Sequence, residues 1–341
     1  MIVKLKTDVD SENVRDLISW FEKKELEVVE TRGDNSTVLS IIGDTRWINE
    51  TSVKAFDCVD NVFRIQEAYR EANLKYHKKP STIKVKDVSI GSGNFVVIAG
   101  PCSVESREQV IEVAKKVKES GANILRGGAF KPRTSPYSFQ GMGEKGIEYL
   151  LEAKEITGLP IVSEIMDIDD LPYFENVDML QVGARNMQNF SLLKKLGKVD
   201  KPILLKRGLS ATYEEWIMSA EYLMSWGNQN IVLCERGIRT FEKGVRNTLD
   251  ITSVPYLRQR TQLPIIIDPS HACGDWEMVE PLSLAATAVG GDGLIVEVHN
   301  NPEKALCDGA QSLKPKKFDL MMKKISILKE ALKEINELDN E

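Results

Sequence analysis

The chain lacks the features that mark several common classes of protein. Its 341 residues contain no apolar run of about 18 residues, the length that a membrane-spanning helix requires. Its five cysteines are an odd number in a long chain, which argues against a disulfide framework. The segment MIVKLKTDVD at the N-terminus has no apolar stretch of the kind found in signal peptides. These absences predict a cytoplasmic protein that does not bind membranes.

The chain also lacks an excess of positive over negative charge. The chain has 45 Lys and Arg against 51 Asp and Glu, for a net charge of −6, and it carries no basic tail. Nucleic-acid binding proteins normally show a basic surface, so this class is not expected. Any site for an anion must therefore be built from a few Arg and Lys side chains brought together by the fold.

The chain is rich in short, continuous apolar runs, of which there are eight between Phe95 and His299. Continuous rather than alternating runs are typical of strands buried on both faces, as in all-parallel sheets. The segments between them are long enough for the helix that a parallel connection requires. The runs lie at 95–103, 122–130, 159–165, 179–185, 202–208, 230–236, 263–270 and 293–299. Eight such units in about 250 residues predict a (β/α)8 TIM barrel.

The first 70 residues show a different pattern. Apolar residues recur at helical intervals through 9–24, and Ser11 is predicted to cap the start of that helix. The predicted strands lie at 1–6, 26–31, 36–42 and 61–66, with turn residues at Gly33-Asp34-Asn35 and a short helix at 51–55. The order β-α-β-β-α-β predicts a ferredoxin-like domain.

The sequence therefore divides into three parts. Residues 1–70 form the predicted ferredoxin-like domain, for which a purely stabilising or oligomerising role is the alternative. Residues 71–85 are polar and charged, which predicts a linker. The barrel is predicted over 86–341, with Thr82–Ile90 and Gly91–Phe95 forming a small hairpin at its bottom and Lys316–Asn336 as its last helix.

Each apolar run of the predicted barrel ends on a reactive or charged residue. Active sites of this fold lie at the C-terminal ends of the strands, where all eight ends share one mouth. Placing so many charges there is costly unless they bind something. These residues are Cys102, Arg126, Glu164, Arg185, Lys206, Arg236, His271 and Glu297.

Four of the residues near these ends have side chains that bind metals. Cys102, His271 and Glu297 end the first, seventh and eighth runs, which are close together in a closed barrel, and Asp308 follows in the next loop. Each alone has a structural alternative, since cysteine is often simply buried and histidine is often a hydrogen-bonded neutral side chain. A thiolate, an imidazole and two carboxylates together favour a site for a divalent transition metal.

A second set of strand-end residues is basic. Guanidinium groups match phosphate and carboxylate geometry, and converging cations repel one another unless an anion lies between them. The set comprises Arg126, Lys131, Arg133, Arg185, Lys206 and Arg236. For Arg207 and Arg239, an ordinary salt bridge is an equally good interpretation. A metal beside these cations predicts small, multiply anionic, phosphorylated substrates. A metal can also polarise a carbonyl as a Lewis acid.

Seven segments carry one set of motifs. They are AGPCS (99–103), LRGGAFKPRTSPYSFQG (125–141), QVGARNMQNF (181–190), LLKRG (204–208), LCERGIRTF (233–241), DPSHACG (268–274) and IVEVHNNPEKALCDGAQSL (295–313). Together they resemble the 3-deoxy-D-arabino-heptulosonate 7-phosphate (DAHP) synthase family, type I beta subfamily, in the form with an N-terminal ferredoxin-like regulatory domain. The resemblance extends over nearly the whole chain, and KPRTS (131–135) is its most specific part.

The resemblance implies an enzyme that condenses phosphoenolpyruvate with erythrose 4-phosphate and water, releasing phosphate, in the first step of the shikimate pathway. The implied ligands of Mn²⁺, Fe²⁺, Co²⁺ or Zn²⁺ are Cys102, His271, Glu297 and Asp308. The implied phosphoenolpyruvate site comprises Arg126, Lys131, Gly183, Ala184, Arg185, Lys206 and Arg236. The implied site for the aldose phosphate comprises Pro132, Arg133, Thr134 and Ser135.

The resemblance also implies roles in catalysis and regulation. Cys102 and His271 act through the metal, Lys131 is the expected proton donor, and Glu164 is expected to orient or activate the attacking water. Tyrosine or phenylalanine is the expected inhibitor, acting through residues 1–70, and the expected assembly is a homotetramer.

Two alternatives remain at this point. The related 3-deoxy-manno-octulosonate 8-phosphate synthase shares AGPC-like and DxSH-like elements, but it has a KANRSS-type loop where this chain has KPRTS. A non-catalytic sensor of aromatic amino acids, with an inactive barrel, is the second alternative. The complete set of eight strand-end residues argues against it.

Overall fold

The computed structural model describes residues 1–7, 9–32, 37–64, 67–77, 79–133 and 135–338. The chain separates into two compact units, Met1–Arg70 and Glu71–Glu341. Among the described helices, none combines the length and the apolar character that crossing a membrane requires.

The first unit is a four-stranded antiparallel sheet with two helices. Its elements are β1 (Ile2–Leu5), α1 (Ser11–Glu22), β2 (Glu27–Arg32), β3 (Thr37–Ile42), α2 (Glu50–Lys54) and β4 (Val59–Phe63), and the strand order is β2-β3-β1-β4. Leu17 and Phe21 of α1 are fully buried in one core with Val3 and Leu39 of the sheet. The predicted ferredoxin-like arrangement is confirmed.

The start of α1 differs from the prediction by one residue. The cap is Asp10, whose carboxylate accepts a hydrogen bond from the backbone N of Glu12 at 3.0 Å, whereas Ser11 is already helical. Asp10 and Ser11 are both good capping residues, so sequence alone ranks them equally, and the extended backbone of Asp10 decides between them. The predicted turn at 33–35 lies outside the described residues.

The second unit contains a closed barrel of eight parallel strands, in the order of the chain. The strands are β7 (Val96–Gly100), β8 (Ile124–Arg126), β9 (Ile161–Glu164), β10 (Met179–Val182), β11 (Ile203–Lys206), β12 (Ile231–Glu235), β13 (Ile265–Ile267) and β14 (Gly293–Glu297), and they follow the hairpin strands β5 (Ile83–Val85) and β6 (Val88–Ile90). The predicted TIM barrel is confirmed.

Helices follow the strands of the barrel along the chain. They are α3 (Arg107–Glu119), α4 (Glu144–Thr157), α5 (Phe190–Leu196), α6 (Tyr213–Ser225), α7 (Ser253–Arg258), α8 (Pro269–Cys273), α9 (Trp276–Ala288) and α10 (Pro315–Glu337). The last of these contains the predicted Lys316–Asn336 helix. Between β9 and β10 the connection is a 3-10 helix, Ile168–Phe174, in place of an α-helix.

The strands place alternate residues inside and outside the barrel. Every residue of β7, β12 and β14 is buried, as their continuous apolar runs predict. One interior cluster takes alternate positions of the strands and includes three hairpin residues, Ile83, Val85 and Ile90. Its barrel members are Val96, Ile98, Ile124, Val162, Met179, Leu204, Val232, Cys234, Ile266 and Ile295.

The segment predicted as a linker, residues 71–85, is part of the barrel unit where the structure describes it. The backbone N atoms of Glu71 and Ala72 donate to the carboxylate of Glu221 on α6, at 3.1 and 2.9 Å. Gln262 Nε2 donates to the Glu71 carbonyl at 2.7 Å, and Ala72 is fully buried. Polar composition indicated exposure, but the backbone amides donate to the half-buried carboxylate of Glu221, a partner that only the folded barrel supplies.

The barrel closes where β14 pairs with β7, from Gly293 beside Val96 to Glu297 beside Gly100. A Cβ atom on Gly293 would lie 2.1 Å from the carbonyl oxygen of Val96, so a side chain there would force the strands apart. We therefore expect Gly293→Ala to lower the free energy of unfolding by about 1–3 kcal/mol. The measurement is urea unfolding followed by circular dichroism.

Gly244→Ala is the matched control for this substitution. Gly244 lies in an exposed loop, and its nearest neighbour would be the flexible carboxylate of Glu242 at 3.2 Å. The unfolding midpoint of the Gly244→Ala variant should stay close to that of the unaltered protein. Equal stability of the two variants would show that the pairing of β14 with β7 tolerates a methyl group at Gly293.

Candidate active site

A cavity of about 440 Å³ opens at the C-terminal ends of the barrel strands. Eight of its lining side chains are Arg or Lys, whereas among the described residues that line it only Glu164 and Asp308 are acidic. The predicted residues that line it are Arg126, Lys131, Pro132, Arg133, Ser135, Glu164, Gly183, Ala184, Arg185, Lys206, Arg236, His271 and Asp308. Thr134 lies outside the described residues. The cavity therefore gathers a strong excess of positive charge.

Strand periodicity explains which side chains reach this cavity. Ile124, Val162 and Leu204 belong to the interior cluster, and the residues two positions further along their strands are Arg126, Glu164 and Lys206. Side chains two apart on a strand share a face, so the polar mouth continues the apolar interior.

The four predicted metal ligands lie together. The side chains of Cys102, His271, Glu297 and Asp308 each offer one ligand atom, and these atoms all lie within 4.8 Å of one another. Cys102 Sγ is 3.3 Å from Asp308 Oδ2, and His271 Nε2 is 3.3 Å from Glu297 Oε1. The loops after β7 and β14 supply Cys102 and Asp308, because the closing seam places those two strands side by side.

The cluster has the composition and the burial of a metal site. Cys102 and Glu297 are each only 1% exposed. Two carboxylates close together repel each other unless a cation lies between them, and a mixed set of S, N and O ligands suits a divalent transition metal. Burial would raise the pKa of Asp308, but the charges of His271 and Arg246 outweigh it and lower that pKa to about 2. The residues therefore fit a divalent cation.

Asp268, which the sequence analysis did not single out, holds the imidazole of the cluster. The backbone N of His271 donates to Asp268 Oδ1 at 2.9 Å, and His271 Nδ1 lies 2.8 Å from Asp268 Oδ2, although its N–H is not aligned with that oxygen. Lys206 Nζ donates to the same Oδ2 at 2.5 Å. A carboxylate beside one ring nitrogen leaves the other nitrogen available as a ligand, as in many metal sites.

A second thiol lies beside Cys102. Cys307 Sγ is 3.4 Å from Cys102 Sγ, and Arg133 Nη1 donates to Cys307 Sγ at 2.8 Å. The hydrogen bond with Cys307, burial and the charge of Glu297 raise the pKa of Cys102 well above that of a free thiol. A bound metal would favour the thiolate instead. Cys273, in contrast, donates to backbone carbonyls within its own helix and loop.

Three basic side chains of the mouth have buried partners. Lys206 and Arg126 are paired with buried carboxylates, Asp268 and Glu297. Lys131 Nζ donates to the Cys102 carbonyl at 3.0 Å and approaches its Sγ at 3.2 Å. Burial would lower the pKa of Lys131, but the neighbouring thiols and Glu164 raise it overall, so this side chain stays protonated.

Three arginines of the cavity, Arg185, Arg236 and Arg239, have no carboxylate partner within the part of the chain that the structure describes. Arg236 donates only to backbone carbonyls, those of Gly237 and His271 at 3.3 and 3.1 Å. Arg185 and Arg239 line the same cavity and form no ion pair there. Unneutralised guanidinium groups around a partly closed cavity create a site for anions.

Arg207 has a structural role. It forms buried ion pairs with Glu235 and Asp250, at 2.9 and 2.8 Å, and does not line the cavity. Tyr213 also donates to Asp250 at 2.7 Å, and burial together with this contact raises the pKa of Tyr213 to about 12. Of the two interpretations open from the sequence, the salt bridge applies to Arg207, whereas Arg239 faces the cavity.

Glu164 lies at the end of β9, against the backbone that follows β10. Its Oε2 accepts a hydrogen bond from Gln181 Nε2 at 3.1 Å. A Cβ atom on Gly183 would lie 1.9 Å from Glu164 Oε1, so only glycine allows the carboxylate to approach this backbone. Glu164 therefore faces the same part of the cavity as the Gly183–Ala184 segment.

Several cavity residues were missed by the sequence analysis. Arg246 and Asn247 come from the long loop after β12, where the sequence gives no strand end to mark them. Gln181 and Asp268 could have been found from strand periodicity, because each lies two residues beyond an interior apolar residue. The loop residues had no such signal.

Comparison with known proteins gives one consistent result. Residues 71–334 match the DAHP synthetase I family, and residues 1–67 match the DAHP synthase ferredoxin-like domain. The phospho-2-dehydro-3-deoxyheptonate aldolase of Thermotoga maritima is 50% identical over 333 residues, which cover 97% of this chain and 98% of that protein.

A solved structure and a more distant relative complete the comparison. The crystal structure of the phospho-2-dehydro-3-deoxyheptonate aldolase (DAHP synthase) from Thermotoga maritima matches with a TM-score of 0.92 and 49% identity, covering 97% of each chain. The 2-dehydro-3-deoxyphosphooctonate aldolase of Geobacter sulfurreducens is 32% identical over 272 residues, which cover 74% of this chain and 98% of that protein. The motifs, the fold and these matches agree, and this chain belongs to the DAHP synthetase I family, with the ferredoxin-like domain of DAHP synthases at its N-terminus.

Proposed function

We propose that this chain condenses phosphoenolpyruvate with erythrose 4-phosphate and water at the mouth of the barrel, giving DAHP and phosphate. One observation carries the proposal. The cation-rich cavity of about 440 Å³ lies directly beside the cluster of Cys102, His271, Glu297 and Asp308. Phosphorylated substrates need the cations, and an aldehyde acceptor needs the electrophilic assistance that a metal at the cluster provides.

The four clustered residues would hold the metal, with Asp268 orienting His271. When bound, the metal would act as a Lewis acid that polarises the aldehyde carbonyl of erythrose 4-phosphate. The ligand set is compatible with Mn²⁺, Fe²⁺, Co²⁺ and Zn²⁺, since each accepts nitrogen, oxygen and sulfur donors.

Phosphoenolpyruvate binds among the basic residues of the cavity. Arg185 and Arg236 have no carboxylate partner in the described chain, so they are available for its phosphate and carboxylate groups. The backbone of Gly183 and Ala184 approaches from one side. Arg126, Lys131 and Lys206 complete the site, and their own buried partners keep them in place.

Erythrose 4-phosphate binds along the loop that follows β8. Pro132, Arg133 and Ser135 line the cavity there, and Thr134 is assigned to the same site from the motif alone. The contact of Arg133 with Cys307, at 2.8 Å, connects this loop to the cluster of Cys102, His271, Glu297 and Asp308, which supports a substrate that extends from the loop to the cluster.

The chain's own residues then account for the proton transfers and the water. Atom C3 of phosphoenolpyruvate attacks the aldehyde carbon and forms the new C–C bond, while the aldehyde oxygen takes a proton. Lys131 is the donor, because its protonated Nζ lies 3.2 Å from Sγ of Cys102, one of the residues that would hold the metal and, with it, the aldehyde oxygen. Glu164 orients the water that adds at C2 and accepts its proton. The bond from C2 to the phosphate oxygen then breaks, C2 becomes the keto carbonyl as its hydroxyl loses a proton, and inorganic phosphate leaves.

The remaining assignments concern the whole protein. Residues 1–70 act as a regulatory domain that binds tyrosine or phenylalanine, and the active assembly is a homotetramer located in the cytoplasm. The matched ferredoxin-like domain supports the regulatory assignment, and the ligand, the assembly and the location rest on the family resemblance. The eight-carbon synthase is the competing activity, and its distance from this chain, at 32% identity for one example, disfavours it.

The first test measures substrate choice and metal dependence together. Phosphate release from phosphoenolpyruvate should require erythrose 4-phosphate, fall to background with a chelator and return when Mn²⁺ is added. Cys102→Ser should bind Mn²⁺ much more weakly, because a soft thiolate is replaced by a neutral hydroxyl. Faster turnover with arabinose 5-phosphate would identify the eight-carbon synthase, and full turnover in excess chelator would rule out the metal.

A second test separates the proton donor from the substrate loop. Lys131→Met should reduce kcat by about 10²-fold or more while the protein stays folded by circular dichroism. Arg133→Ala should mainly raise KM for erythrose 4-phosphate, because one contact to the phosphate is lost. An unchanged KM in the Arg133 variant would place the aldose phosphate elsewhere.

A third test concerns regulation. Removal of residues 1–70 leaves the contacts of Glu71 and Ala72 with Glu221 intact, so the barrel should fold and stay active. The full chain should be inhibited by tyrosine or phenylalanine with a coupling of about 5–150-fold, and the truncated chain should not be. Equal inhibition of both would place the inhibitor site in the barrel, and no inhibition of either would leave the domain without this role.

A further inference from the structure

A buried glutamine connects two parts of the metal cluster without belonging to it. Gln311 ends a short 3-10 helix, three residues after Asp308, and is 2% exposed. Its Nε2 donates to Glu297 Oε2 at 2.7 Å, and its Oε1 accepts from Arg246 Nη1 at 2.8 Å. The same Nη1 of Arg246 also lies 3.3 Å from Asp308 Oδ1. No step of the proposed reaction uses either residue.

We infer that Gln311 and Arg246 form a positioning pair that holds the carboxylates of Glu297 and Asp308 in the orientation that binds the metal. This inference rests on the metal site of the proposed function. Neither residue touches the substrates in this assignment; both act through the two acidic ligands.

The hydrogen bonds fix Glu297 from both ends of its carboxylate. Arg126 pairs with Oε1, and Gln311 holds Oε2. The terminal torsion of a glutamate is broad and would otherwise let the carboxylate turn freely. With both oxygens engaged, Oε1 stays on the side of His271, 3.3 Å from Nε2.

The amide of Gln311 has only one favourable orientation. A flipped amide would place its oxygen against the Glu297 carboxylate and its NH2 group against the Arg246 guanidinium, and both contacts are repulsive. Arg246 therefore fixes the orientation of the Gln311 amide, and the NH2 group of that amide donates to Glu297. Because glutamine is neutral, Glu297 keeps the negative charge that a cation requires.

The same pair supports Asp308, whose backbone is held in an unusual conformation. Asp308 has φ of +50°, a left-handed conformation that costs energy for a residue other than glycine. Arg246 contacts its carboxylate, and Ser312 Oγ donates to its carbonyl at 3.1 Å. Supports of this kind around metal ligands typically change metal affinity about 10–100-fold when they are removed.

The experiment measures Mn²⁺ binding to the metal-free, full-length protein by isothermal titration calorimetry, with folding checked by circular dichroism. Gln311→Met keeps the length of the side chain and removes both hydrogen bonds, so its Kd for Mn²⁺ should rise about 10–100-fold. Lys314→Met is the matched control on the same loop. It removes only an exposed ion pair with Glu303, so its Kd should be unchanged.

A second pair of variants keeps the test decisive if Gln311→Met does not fold. The Arg246 side chain is 40% exposed, so Arg246→Met should fold and should also weaken Mn²⁺ binding about 10-fold or more. Arg246→Lys, which keeps the charge, should recover part of the loss. In the Gln311→Met, Arg246→Met double variant, the combined loss should be smaller than the product of the single losses, because the two side chains act together.

The outcomes distinguish this inference from the proposed function. An unaltered protein that does not bind Mn²⁺ would overturn the metal site itself. An unaltered protein that binds Mn²⁺, with variants that bind it equally well, would overturn the positioning pair and leave the metal site standing. A lower melting temperature of the variants with an unchanged Kd would show a purely structural role and would also overturn the inference.

Discussion

Closure of the barrel between β14 and β7 is the constraint on which the site depends. A strand edge left open would expose unpaired backbone groups, and pairing the last strand with the first removes it. The closure places Glu297 beside Gly100, two residues before Cys102. Residues almost two hundred positions apart in the chain thereby become neighbours. The four residues that could hold a metal meet where these two strands pair, and the loop after β14 brings Asp308 to them.

Charge balance then decides what each polar residue at the mouth can do. A buried charge needs a partner, and Arg126, Lys206 and Arg207 each have a carboxylate. These paired cations are fixed in place before any substrate binds. Arg185 and Arg236 lack such a carboxylate among the described residues, so the cavity keeps positive charge that an anionic substrate can neutralise. The cations that have a carboxylate partner therefore support the site, and those that lack one are available to ligands.

Much of the fold and of the site was predictable, for physical reasons that act locally. A strand buried on both faces must be apolar throughout, so eight continuous runs indicated eight strands and their ends indicated the mouth. The predictions failed where two local solutions were equally good. Asp10 and Ser11 can both cap a helix, and the polar segment after Arg70 can be exposed or can pair its amides with Glu221.

The sequence by itself determined the barrel strands, their order along the chain and the type of residue at each strand end, because these follow from periodicity along the chain. It also determined the motifs that place the chain in its family. Only the tertiary structure decided which charged groups are partners: Arg207 turns to Glu235, and Gln311 joins Arg246 to Glu297. Partner choice depends on distances of a few ångströms between residues far apart in the chain, and those distances exist only once the barrel has closed.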